Sequence, residues 1–371
     1  MSYKELLLFV ILLSGTIYNF DNPYMRLIWI FLWIFLPIVG LYFSNQKKIP
    51  IKEKKDFLFA LSIILLLMFT FFKNMNSLDF GISGSQSEKM TPFLFVFHVV
   101  ALYYFYQVGS FNKNFIYKFY LFILFIIIMD MLIRYVDNPG LFLNYHHRQS
   151  AKNLGFFNNT NIEGAFIAFL LVVSWQIKYK YQKLIEWLMF VVLITTMARS
   201  AILSVIAVYI FQYMFNNPSL YKKIISLLVA LVFIVFLVID PLDLKNDGSL
   251  WSKIEFLQRM WYLIENGSLM DNIFGYSASL KGVIAVLDID GHSPHVSIVK
   301  SFLYYGLIGV SIWFLTLYYF VKSNSKMFLP ILNYFLFSLA GAPIFWPTLS
   351  VGLIIILIYE KIKKESMYVY K

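Results

Sequence analysis

Apolar runs of about 15–25 residues recur from one end of this 371-residue chain to the other, separated by short polar connections. A helix of that length crosses a hydrocarbon core of ~30 Å. Inside lipid the backbone must satisfy its own polar groups, and helices do so within one segment. About twelve such spans are legible: roughly 5–19, 26–44, 57–73, 92–110, 117–136, 161–177, 184–198, 200–216, 224–240, 295–321, 327–343 and 347–360. They predict an all-α, polytopic membrane protein, one membrane domain over residues 1–371. The run from Leu184 to Phe215 is too long for one crossing and carries Arg199 at its middle. It is read as a tight hairpin with Arg199 near the tip. The first run, Leu6 to Ile17, flows into the second without a small-residue cleavage site and is read as a retained span.

Composition agrees. Hydrophobic residues make up 60% and charged residues 14%, with mean hydropathy +0.70. That profile excludes an ordinary soluble domain. With no cysteine there is no disulfide, no thiolate metal site and no thiol nucleophile. The net charge of +11 is spread over loops between spans, which makes it a topology signal and argues against a nucleic-acid partner. The stretches 45–56, 111–118, 178–183, 217–223, 322–326 and 361–371, with the N-terminus, hold 19 of the 31 lysines and arginines. Placing them in the cytoplasm puts both termini inside.

Three connections stand out on the opposite side: 74–91, 137–160 and 240–294, the last a large extracytoplasmic loop before the tenth helix. It holds a helix-like piece, residues 250–264, followed by Gly, Asn and Ser turn signals. Loops of that length are commonly functional.

All five arginines, Arg26, Arg134, Arg148, Arg199 and Arg259, fall on the outer side of this topology, and every inner basic residue is lysine. Lysine suffices as a topology charge. Arginine's planar fork grips phosphate or carboxylate through two parallel hydrogen bonds. The bias points to an anionic ligand at the outer surface. The plainer reading anchors Arg26 at the interface and pairs Arg134 with Asp130 one helical turn away.

Ser293-Pro294-His295 precedes the tenth span. Serine is a favoured N-cap and proline a favoured first helical residue, so the signal predicts a helix start with His295 in its first turn. Free N–H groups there attract anions and disfavour imidazolium, which would leave His295 a neutral base. Alternatively His295 only hydrogen-bonds at the interface, or joins Asp288, Asp290 and His292 in a metal site. His98 reads as a packed, hydrogen-bonded residue within a span. His146 and His147 read as polar surface near a sugar. Asp130 and Glu163 read as carboxylate bases or ion-pair partners.

Taken together, these pieces resemble the O-antigen polymerase and O-antigen ligase superfamily. The resemblance rests on His295 followed by Gly306-x-x-Gly309, on Arg199 at a hairpin tip in TTMARSAIL, on Arg259, Trp261 and Gly275 in LQRMWYLIENGSLMDNIFGYS, and on GFFNNTNIEGAF after Arg148. It covers about 145–325. Two positions depart from the family pattern: Val296 follows the histidine where Asn, Ser or Gln is usual, and Ala198 precedes Arg199 where serine is usual.

The resemblance implies a C-type glycosyltransferase-like fold in the bacterial inner membrane. The implied substrate is an oligosaccharide on undecaprenyl pyrophosphate, met among membrane lipid. The implied activity polymerises repeat units into a surface polysaccharide such as O-antigen, capsule or exopolysaccharide, with no metal or other cofactor. Flippase and chain-length regulator proteins are the implied partners. His295 is then the general base or an orienting residue. Arg259, Arg199, Arg148 and His292 bind substrate. A ligase passing the glycan to a different acceptor is the alternative within the family. A lipid-linked oligosaccharide flippase or other transporter is the alternative outside it, although matched halves with midplane charges are not seen.

Overall fold

The computed structural model describes residues 3–17, 35, 98–99, 111–112, 114–137, 160–196, 198–216, 248–276, 280–287, 296–338 and 347–368. Among these the regular structure is helical throughout, with no strand. The helices are α1 (Tyr3–Ile17), α2 (Phe115–Asp137), α3 (Thr160–Ser174), α4 (Gln182–Thr195), α5 (Arg199–Asn216), α6 (Gly248–Asn266), α7 (Leu269–Phe274), α8 (Leu280–Leu287), α9 (Ser297–Ser323), α10 (Phe328–Ser338) and α11 (Pro347–Tyr368). The expected spans 26–44, 57–73 and 224–240, and nearly all of 92–110, lie outside the described residues. Among the described residues, α2 and α9 are long and apolar enough to cross a membrane, and α3 and α5 are shorter apolar helices.

Helix α3 is the hub. Every residue from Ala165 to Val173 is buried, and α4, α5, α10 and α11 pack around it. A helix apolar on all sides belongs inside a bundle. Helix α2 is two-faced in a different sense. Phe115, Phe119, Ile123 and Ile127 are buried at helical spacing, while Leu121, Phe122, Phe125 and Leu132 are exposed. Both faces are apolar, which water would not tolerate over 23 residues, or ~34 Å of helix, but lipid does.

Helices α4 and α5 form the expected hairpin, α4 ending at Thr195 and α5 starting at Arg199. The Thr196 hydroxyl donates to Leu193 O at 2.7 Å, and Ala198 N donates back to that hydroxyl oxygen at 3.2 Å. The tip rests on α3, because a Cβ built on Gly164 would meet the Ala198 methyl at 2.3 Å.

Side-chain contacts sort the helix ends. At one end Tyr120 stacks on Tyr179, Trp175 meets Tyr209, and Phe211 meets Phe328. There also Lys326 pairs with Glu360 and lies over Tyr359, and Lys361 lies over Phe111. The lysine stretches 111–118, 178–183, 322–326 and the start of 361–371 thus gather at a single end, while 45–56 and 217–223 lie outside the described residues. At the other end Arg134 meets Glu163, and Ala198 meets Gly164. The last span differs from expectation at its finish, since α11 continues as helix through the basic tail to Tyr368. Lysine and glutamate are good helix formers, so nothing there stops it.

A second core lies beyond the bundle. Phe256 of α6, Val283 and Leu287 of α8, Val296 just before α9, and Val299 and Phe302–Tyr305 of α9 bury one another. These form a cap on the far end from the lysines, because α9 runs from it to Lys322 at the lysine end. The helix-like piece expected at 250–264 is α6, at the heart of this cap.

Candidate functional site

The cap is built on two glycines. Gly306 interrupts α9 with φ 63° and ψ −160°, and Gly275 closes α7 with φ 95° and ψ 161°. Both lie in a backbone region that side chains essentially forbid. A Cβ at Gly306 would meet the Ile273 carbonyl oxygen at 2.3 Å and Gly275 N at 2.5 Å. A Cβ at Gly275 would meet the Tyr304 carbonyl at 2.6 Å. Two backbones therefore touch where neither residue has a side chain, and Tyr276 N donates to Leu303 O at 2.8 Å beside them. The break divides the predicted span 295–321. Its first nine helical residues belong to the cap, and only 307–323 runs on into the bundle, where Trp313 donates to the Tyr334 hydroxyl at 3.3 Å.

Tyr276 fastens the cap's interior. Its hydroxyl lies 2.7 Å from Leu263 O and 2.5 Å from Asn272 Oδ1, while Asn272 Nδ2 donates to Ile264 O at 2.9 Å. Burial, with the charge of Asp271 adding to it, pushes the Tyr276 phenol up, so it stays protonated and donates at neutral pH. Ser268 caps α7 by accepting from Asp271 N at 3.1 Å.

Arg259 sits on α6 at the surface of this cap, about a third exposed. Its Nε and Nη2 donate to Glu255 Oε1 at 3.1 and 2.8 Å, and its Nη1 donates to Leu287 O at 2.5 Å. The fork is thereby fixed between α6 and α8, and Leu287 at the end of α8 lies eight residues ahead of His295 in sequence. Glu255 carries a signal in the sequence, since its spacing of four from Arg259 on one helix is the same as that of Asp130 from Arg134.

Arg199 opens α5 and is half-buried at the hairpin tip, as expected. A cation in the first helical turn opposes the helix dipole, so plain helix capping does not account for it. Arg134 takes the plainer of its two readings. Its Nε donates to Asp130 Oδ2 at 2.7 Å, and its Nη2 lies 3.3 Å from Glu163 Oε2, all three side chains being buried. Asp130 and Glu163 are ion-pair partners, bonding α2 to α3 one residue from the Gly164–Ala198 contact. His98 is buried and packed as expected, with Nδ1 2.7 Å from Ser350 Oγ and Nε2 3.1 Å from Ile11 O, which links α1 to α11.

One expectation is overturned. The tenth helix begins at Ser297 with Val296 as its extended N-cap, not at Pro294 with Ser293 as cap. His295 therefore precedes the N-cap in sequence and is not in the first turn of α9. Val296 is buried in the cap core, and its carbonyl accepts the first helical bond from Lys300 N at 3.1 Å. Burying valine there outweighs the local Ser-Pro signal. The side chains of His295, His292, Arg148, Arg26, His146, His147, Asp288 and Asp290 lie outside the described residues. Among the described residues no group of His, Asp and Glu is placed to hold a metal ion.

Arg134, Arg199 and Arg259 thus share the end of the molecule opposite the lysine stretches 178–183 and 322–326, an end where the cap also carries Lys253, Lys281 and Lys300. Arg259 and the two glycines belong to one folded cap. Arg199 stands on the bundle beneath that end, next to the buried ion pairs. No family model, curated protein or solved structure matches this chain.

Proposed function

We propose that this chain is a membrane glycosyltransferase of about twelve spans in the bacterial inner membrane, with both termini cytoplasmic. It polymerises undecaprenyl-pyrophosphate-linked oligosaccharide repeat units into a surface polysaccharide. An acceptor sugar hydroxyl attacks the anomeric carbon of the donor glycan. The bond from that carbon to the phosphate oxygen breaks, and the lipid pyrophosphate leaves. His295 takes the hydroxyl proton or orients the acceptor. Arg259 and Arg199, with Arg148, meet the charge that develops on the pyrophosphate, and His292 contacts the substrate.

The observation that carries this reading is the confinement of the described arginines to one end. The lysine stretches of the bundle gather at one end, and the three described arginines all lie at the other with the cap, which also carries Lys253, Lys281 and Lys300. A topology rule needs positive charge on one side only. Arginine on the far side calls for a ligand there, and a pyrophosphate suits its fork. The contact between Gly275 and Gly306 adds support, since it joins two pieces of the motif that are 31 residues apart in sequence.

Deletion of the gene in its host tests the reading against its rivals. The polymerase reading expects lipid-linked single repeats facing outward. Accumulation of finished lipid-linked polymer would make the chain a ligase, and repeats trapped inside would make it a flippase.

A further inference from the structure

Large apolar side chains crowd the outside of the cap. Leu257 and Trp261 on α6 and Leu269 and Met270 on α7 are 43%, 60%, 74% and 58% exposed. On the α6 wheel, Leu257 and Trp261 form one edge of the exposed arc, while Glu255 and Arg259 form the other. Helix α7 is tied to the end of α6 by the Asn272 to Ile264 O and Tyr276 to Leu263 O bonds. The height of this patch follows from α9. From Leu307 to Lys322 the second half of α9 is ~24 Å long, against a hydrocarbon core of ~30 Å. With exposed Lys322 at the lysine end, Gly306 lies near the opposite hydrocarbon boundary. Ile273 of α7 abuts Gly306, so Leu269 and Met270 lie near that same level. Along α9 itself Leu307, Phe314, Leu315 and Tyr318 are exposed too.

We propose that Leu257, Trp261, Leu269 and Met270 seat the cap in the outer lipid interface, so that the occupant of this surface is the bilayer itself. Aliphatic side chains enter the acyl boundary, and the indole takes the headgroup level that tryptophan favours. Arg259, on the opposite edge of α6, is then held at headgroup height, where a lipid-borne phosphate lies. The inference rests on the reading of the chain as membrane-spanning and deepens the proposed function by having the donor arrive sideways from lipid.

Single cysteines at Trp261, Leu269, Met270 and, as the aqueous control, exposed Glu265 can be spin-labelled on this cysteine-free chain in phospholipid vesicles. Collision rates with oxygen, which concentrates in lipid, are compared with those of a polar nickel chelate. The oxygen-to-nickel ratio at Trp261, Leu269 and Met270 is expected to exceed that at Glu265 several-fold. Ratios at Leu269 and Met270 equal to that at Glu265 overturn the proposal. So do low collision rates with both reagents, which mean a protein or glycan cover, and spin–spin broadening, which means a second copy. The measurement uses no substrate, so its failure is distinct from failure of the polymerase reading.

Discussion

Gly306 exchanges a regular helix for a contact. A straight α9 would keep its hydrogen bonds, yet the chain turns at φ 63° so that the Ile273 carbonyl and Gly275 N can come against it. Gly306→Ala therefore forces a side chain into both a forbidden backbone region and a backbone contact. The expected loss is about 2–3 kcal/mol of cap stability, seen as faster proteolysis within 248–305 while the bundle stays intact. The Arg259 fork is the second case. If it serves only to join Glu255 on α6 to Leu287 O on α8, Arg259→Lys and Glu255→Gln should damage the protein alike. The proposed function predicts a split, measured as the transfer rate of the two variants. Arg259→Lys loses most activity because lysine cannot match the planar fork, whereas Glu255→Gln, which keeps a hydrogen-bond acceptor for the guanidinium, retains most of it. Of the site residues, Arg199 at its tip and the Asp130–Arg134 pair were legible in sequence, since each depends on local spacing. The Gly275–Gly306 contact was not, because two glycines 31 residues apart carry no pairing signal. The helix start at Ser297 was misread because burial of Val296 is a tertiary fact that the Ser-Pro signal cannot report.

At the scale of elements, α2 and α3 are joined in the interior by one guanidinium shared between two carboxyl groups. The geometry is that of a buried ionic cluster, with Arg134 Nε 2.7 Å from Asp130 Oδ2 and Nη2 3.3 Å from Glu163 Oε2. Such clusters are poor sources of net stability, but breaking one by removing a single partner is costly. Arg134→Leu should destabilise the purified protein by about 3–5 kcal/mol, since it leaves two carboxyls buried without their cation. The fall in the thermal unfolding midpoint reads this. Replacing all three together with apolar residues should recover much of the loss. Helix periodicity and length made the elements easy to read. Helices α1, α2, α3, α4, α5, α10 and α11 each overlap an expected span, because length and apolar content decide them locally. The predicted span 295–321 failed as a single unit for a different reason. Its residues are apolar throughout, but half of them bury against the cap and half against the bundle.

The whole molecule is polarised from end to end. One end collects the lysine stretches of the bundle, aromatic stacks and the Lys326–Glu360 pair, and the other collects the described arginines, the hairpin tip and a cap with its own core and three lysines. This polarity was legible in sequence as the alternation of basic loops, because the positive-inside rule acts on composition alone. The cap's assembly was not, because it is made by contacts among 248–305 that no local pattern encodes. The proposed function accounts for both ends by placing the lysine stretches in the cytoplasm and a lipid pyrophosphate at the cap. The direct test is a reconstitution. Purified protein in phospholipid vesicles is given undecaprenyl-pyrophosphate-linked repeat units from its own host, and the glycan products are sized on a gel. The account predicts a ladder of polymer from the intact protein, undiminished by EDTA, and none from His295→Ala. Unextended single repeats from the intact protein, or a ladder from His295→Ala equal to that of the intact protein, would contradict it.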